Sequence, residues 1–112
     1  MSVLFVHAAG TEDLRPLITD AGERATLVQF SSAFCAPCRA TRRVLASAAE
    51  QVPGVLHLEI DAESNLDLVR RLGIVKTPTT LVLDSRGREV VRASGQPRMA
   101  DVLGAIGQAV RS

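Results

Sequence analysis

The chain has 112 residues, 46% of them hydrophobic, enough for one domain with a buried core and too apolar for a disordered segment. A net charge of +1 and three phenylalanines without tyrosine or tryptophan give neither the basic footprint nor the stacking surface that nucleic acid binding needs. No apolar run approaches the roughly 20 residues of a membrane helix, so no membrane partner is expected.

The opening seven residues lack a basic leader, a long apolar stretch and a small-residue cleavage site, so they do not read as a signal peptide. With only two cysteines, Cys35 and Cys38, this points to a reducing compartment, the cytoplasm by default. Residues 3–8 are almost wholly apolar and read as a first strand buried on both faces. Gly10 ends it, and Thr11 is expected to cap a helix with Glu12 and Asp13 in its first turn, Leu14, Leu17 and Ile18 inward, and an end near Gly22. Residues 25–30 form the second strand. A helix follows directly, with Val44, Leu45, Ala48 and Ala49 toward the core, and it stops before Pro53-Gly54.

Residues 55–60 are the third strand, and 61–65 a turn and cap. Leu66, Leu68, Val69 and Leu72 make a short helix that Gly73 stops. A fourth strand at 79–83 joins a fifth at 89–92 through Asp84-Ser85-Arg86-Gly87, a hairpin signal that makes this pair antiparallel. Residues 99–110 form a last helix with Val102, Leu103, Ile106 and Val110 at core spacing. Gly104 and Gly107 in it suggest close packing, since each costs roughly 1 kcal/mol against alanine. The order β-α-β-α-β-α-β-β-α implies a single α/β domain over 1–112, a central mixed sheet of about five strands flanked by four helices on both faces.

The chemistry sits where the second strand meets its helix, at Cys35-Ala36-Pro37-Cys38. A cysteine at the N-cap turns its sulfur toward backbone N–H groups that have no intrahelical acceptor, and these, with the helix dipole, favour the thiolate. Cys38, three residues on, lies on the same face and within disulfide reach. Pro37 is tolerated because a first-turn amide has no bond to lose. The expected reaction is thiol–disulfide exchange, with Cys35 attacking and Cys38 resolving. Two buried cysteines, a zinc half-site and a shared iron–sulfur cluster are the alternatives; zinc wants four ligands, and only His7 and His57 are available as histidines. No metal and no bound cofactor are expected. Arg39, Arg42 and Arg43 form a basic cluster after the dithiol, a solvated face or, for Arg39, a support for the thiolate.

The element order, the position of Cys35-Ala36-Pro37-Cys38, and Gly73-Ile74-Val75-Lys76-Thr77-Pro78-Thr79 some forty residues later make the chain resemble the thioredoxin family over nearly its whole length. The resemblance implies a thioredoxin-like fold in which Pro78 is cis and lies against the dithiol, leaving the backbone of Thr77 free to pair with an extended substrate. It implies a substrate surface of Phe34, Ala36, Pro37, Thr77, Pro78 and Gly95, with Lys76 beside it. It also implies a monomer that reduces disulfide-containing proteins and takes electrons from a separate thioredoxin reductase-type donor. The family's buried carboxylate falls at Gln29, its partner lysine at His57, its first tryptophan at Ser31 and its helix-kinking proline at Arg43. Because its side chain can titrate near neutral pH, His57 is a candidate to carry some of the proton traffic for Cys38, the plainer reading being a satisfied strand histidine. The competing class is a non-catalytic thioredoxin-like module that binds a partner or senses redox state.

Overall fold

Strand-forming runs and amphipathic runs alternate along this chain, and each run settles into the element its periodicity favours, with one exception. The fold is described from a computed structural model covering the backbone of residues 4–7 and all of residues 10–112. Five strands, β1 Leu4–His7, β2 Ala25–Ser31, β3 Val55–Asp61, β4 Thr79–Asp84 and β5 Glu89–Ser94, form one sheet in the order β1-β5-β4-β2-β3. β2 and β3 are parallel; β2 with β4, β4 with β5 and β5 with β1 are antiparallel. The expected burial of residues 3–8 and the side chain of His7 lie outside the described residues.

Three α-helices follow: α1 Ala36–Gln51, α2 Leu66–Arg71 and α3 Met99–Arg111. In α1 the buried positions Cys38, Thr41, Leu45 and Ala48 recur every three to four residues and press one stripe onto the sheet. α1 and α3 cover one face around Leu27, Val82 and Val91. The opposite face packs Val28, Phe30 and Leu81 against Leu68 and Val69 of α2 and Leu72 at its C-cap. α1 runs unbroken through Arg43, the position of the family's kinking proline. No helix among the described residues is long and apolar enough to cross a membrane.

The fourth helix expected across 11–22 is replaced by a single 3-10 turn, Arg15–Leu17. Pro16 is the cause: in the interior of a helix over 11–22 it has no amide to bond four residues back, and its ring would clash with the carbonyl there, whereas it is tolerated in the first turn of a short 3-10 helix. Asp13 adds a competing local bond, accepting from the Arg15 amide at 3.0 Å and from its guanidinium at 2.9 and 2.7 Å. The apolar residues still reach the core: Leu14 is buried, with Leu17 and Ile18 packed beside it. Gly22 is no helix stop either. A Cβ there would lie 2.1 Å from the Ala25 carbonyl oxygen, so glycine is required by close backbone approach.

The glycines of α3 also correct an expectation. A Cβ on Gly104 would meet nothing within 4 Å, and one on Gly107 would meet only the mobile end of Arg111. Neither serves close packing. Gly104→Ala should therefore raise stability by about 0.5–1 kcal/mol, moving the thermal midpoint up by about 2–5 °C. A thermal melt reads this directly, and a lower midpoint would mean that position 104 needs glycine for another reason.

Candidate active site

β2 delivers the chain to the carboxyl edge of the sheet, and α1 leaves from it. Between them Phe34 adopts φ 57°, a left-handed conformation unfavourable for a bulky residue, and its side chain is fully exposed. Cys35 is the N-cap of α1, and its Sγ accepts from the Cys38 amide at 3.2 Å. Cys35 and Cys38 form a disulfide, with Cα atoms 5.2 Å apart. Cys35 is partly exposed while Cys38 is 1% exposed. That asymmetry suits one sulfur to meet a substrate and the other to act from behind it.

A second loop joins the loop that precedes the pair. The Thr77–Pro78 peptide is cis. Pro78 is buried and accepts through its carbonyl from the Gly95 amide at 2.9 Å. Gly95 has φ +94°, open only to glycine without strain. Ser32 and Thr77 join the two loops through their hydroxyls at 2.8 Å. Beside Thr77 a largely apolar groove of about 270 Å³ is lined by Ala62, Leu66, Val69, Ile74, Val75 and Thr77, together with the charged Glu63 and Lys76. Val75 is 90% exposed at its rim, Phe34 is fully exposed on the dithiol loop, and Lys76 lies exposed between Val75 and Thr77.

Behind the disulfide lies a polar network. Parallel register pairs Leu27 with His57 and Gln29 with Glu59, so alternation along β2 and β3 brings Gln29, Ser31, His57 and Glu59 to the α1 face. Glu59 takes a two-point ion pair from Arg42 at 2.7 and 2.8 Å. Its carboxylate can only accept, so the Ser31 hydroxyl, 2.8 Å from it, donates to it. Ser31 must then accept from the Gln29 amide nitrogen at 2.9 Å, and the second amide hydrogen goes to the Cys38 carbonyl at 2.8 Å. This fixes Gln29 Oε1 as the acceptor facing His57, 2.9 Å away, so His57 carries its proton on Nε2. Every bond of fully buried Gln29 has one polarity.

Of the site residues expected from sequence, Cys35, Cys38, Phe34, Ala36, Pro37, Thr77, Pro78 and Gly95 lie on the dithiol helix, the loop before it and the two loops around it. His57 reaches the dithiol only through Gln29. Arg42 and Arg39 are both exposed, as expected of a solvated face, and Arg42 is in addition tied to Glu59. Sequence reading missed Ser31, Glu59 and Arg42 as one chain, and missed the recess of about 340 Å³ that they line with Ser32, Ala33 and Asp61. The signal was present in part: 27, 29 and 31 alternate onto one face of β2, and Arg42 follows Cys38 by one helical turn. Among the described residues, no three of His, Cys, Asp and Glu group as metal ligands would.

Burial is the largest influence on His57 and holds its pKa below the ordinary 6.5; Arg42 reinforces this and Glu59 opposes it. Glu59 is held below the usual carboxylate value chiefly by its hydrogen bonds from Arg42. The sign for His57 follows from linkage. Between its lowered folded value and the unfolded value near 6.5, the unfolded chain binds more protons, so stability falls as pH drops through that window and is full above it. Urea titrations at pH 7.5 and 5.5 should show this loss, and His57→Gln should shrink it. An equal loss in both proteins would assign it to other groups.

A disulfide across the first turn of a helix, at the carboxyl end of a central strand and beside a cis-proline loop, defines an α/β protein with a redox-active Cys-x-x-Cys pair. Comparison with known proteins agrees: the thioredoxin family model matches residues 7–107, and the chain belongs to that family. Human thioredoxin domain-containing protein 2 is 35% identical over 68 residues, which are 61% of this chain but only 12% of that protein, so the chain spans a small part of that relative. Thioredoxin of Pongo abelii is 28% identical over 75 residues, 67% of this chain and 71% of that one. Among solved structures, the short form of spinach chloroplast thioredoxin f has a TM-score of 0.70 at 28% identity, covering 93% of this chain and 91% of that one.

Proposed function

We propose that this protein is a thiol–disulfide oxidoreductase that reduces disulfides in protein substrates. The observation that carries the reading is the division of labour in one helical turn: a partly exposed N-cap sulfur on Cys35, and a buried Cys38 bonded to it. In the reduced protein the Cys35 thiolate attacks one sulfur of a substrate disulfide, and the other substrate sulfur leaves as a thiol after taking a proton. The Cys38 thiolate then attacks Cys35, the substrate's second sulfur leaves, and the Cys35–Cys38 bond remains. Two electrons have passed to the substrate, and a separate reductase returns them.

The loop around cis Pro78 supports the choice of a polypeptide substrate. A proline donates no amide to compete for the thiolate, and an extended chain can pair with the backbone of Thr77. Exposed Phe34 and Val75 add apolar contact. We place His57 in the proton traffic of the dithiol, acting through the Gln29 amide; if His57→Gln leaves exchange rates and their pH profile unchanged, that role falls. A reducing compartment such as the cytoplasm fits a chain whose only cysteines are this pair.

The test is repeated reduction of insulin disulfides with dithiothreitol as donor. Many insulin bonds reduced per protein molecule are expected. Reduction that stops at one equivalent per dithiol would favour the binding-module reading, in which the apolar groove beside Thr77 holds a partner.

A further inference from the structure

One buried polar group under the dithiol is left over from the network. Thr80 of β4 is 2% exposed, and among the described residues its Oγ1 is the only buried side-chain nitrogen or oxygen without a hydrogen-bond partner. Such a group is costly, and in a native structure it calls for an explanation. Strand register locates it. Thr80 pairs with Gln29, so both side chains leave the same face of neighbouring strands with Cβ atoms about 5 Å apart. That is the face beneath the first turn of α1, where Gln29 donates to the Cys38 carbonyl.

Every other donor of this face is committed. Both amide hydrogens of Gln29 serve Ser31 and Cys38, the Nε2 proton of His57 serves Gln29, and the Ser31 hydroxyl serves Glu59. The charged groups, Glu59 of β3 and Arg42 of α1, pair with each other. The Cys38 amide points at Cys35. When the disulfide opens, the buried Cys38 sulfur becomes a hydrogen-bonding group that the network cannot serve. Among the described residues, Thr80 is the buried side chain of this face whose hydroxyl has no partner at all.

We propose that Thr80 is the hydrogen-bond partner of the Cys38 sulfur in the reduced protein. The inference rests on the reading of the pair as a reversible disulfide. Reduction by two glutathione molecules transfers two electrons and two protons, breaks the Cys35–Cys38 bond, and leaves glutathione disulfide. The freed Cys38 sulfur then accepts from the Thr80 hydroxyl, which keeps its own proton. Thr80 thus favours the dithiol over the disulfide, and favours the thiolate of the resolving cysteine.

The experiment equilibrates the wild type, Thr80→Val and Thr80→Ser in graded glutathione buffers at pH 7, then traps free thiols. Valine keeps the shape of threonine and removes the hydroxyl; serine keeps the hydroxyl. The expected result is a shift of about fivefold toward the disulfide for Thr80→Val, equivalent to a potential ~20 mV more negative, with Thr80→Ser staying close to wild type. A Thr80→Val potential equal to wild type would overturn the inference, since the hydroxyl would then be equally satisfied in both states. If Thr80→Val does not fold, Thr80→Ala gives the same two readings. A wild type that forms no intramolecular disulfide would overturn the oxidoreductase reading itself, and this inference with it.

Discussion

Cys35→Ser is expected to abolish insulin reduction, leaving only the rate of dithiothreitol alone. A serine hydroxyl at the α1 N-cap still accepts the Cys38 amide, so the helix start is preserved and the loss is chemical. Cys38→Ser should behave differently. Cys35 stays exposed to substrate and still attacks, but nothing buried behind it resolves the product, so a mixed disulfide accumulates at one per protein. Mass spectrometry of the quenched reaction reads the adduct. If Cys38→Ser turns over normally, resolution comes from solution thiol and the buried position of Cys38 has no catalytic meaning.

Gln29→Leu is expected to have the largest effect on stability. The volume is nearly conserved, but three hydrogen bonds disappear from a fully buried site: those to the Cys38 carbonyl, Ser31 and His57. Groups left underbonded in the interior cost about 1–3 kcal/mol each. The Cys38 carbonyl keeps its place in the helix and Ser31 keeps Glu59, so a total of about 2–4 kcal/mol is reasonable. For a domain of this size the thermal midpoint should fall by about 10 °C. The same variant frees the first turn of α1 from the sheet, so it should also slow exchange. A midpoint within 2 °C of wild type would show that the network contributes little.

Most of the fold was legible because local signals and tertiary context agree. The β2 and α1 runs lie next to each other in sequence and in space, and the Asp84–Gly87 turn is encoded in four residues, with the Asp84 side chain accepting from the amides of Arg86 and Arg88. Residues 11–22 failed because apolar spacing was allowed to outweigh Pro16. Gly104 was misread because a helix glycine has two explanations, packing or mere tolerance, and only the space around it separates them.

The site divides the same way. The dithiol is written in contiguous sequence, and the Gly73–Thr79 stretch marks the loop beside it. The network behind it depends on β2–β3 and β2–β4 register, which places Gln29 level with both Glu59 and Thr80 although some thirty and fifty residues separate them. His57 was identified as a titrating residue, but its partner was not, because a hydrogen bond of fixed direction follows only once Glu59 is seen to accept.

The most direct test of the central claim is the reduction potential of the Cys35–Cys38 pair, measured by thiol trapping in graded glutathione buffers. A disulfide reductase predicts a value near −270 mV, about that of thioredoxins in general. A value near −120 mV would make the pair an oxidant, and failure to form an intramolecular disulfide would contradict the exchange mechanism altogether.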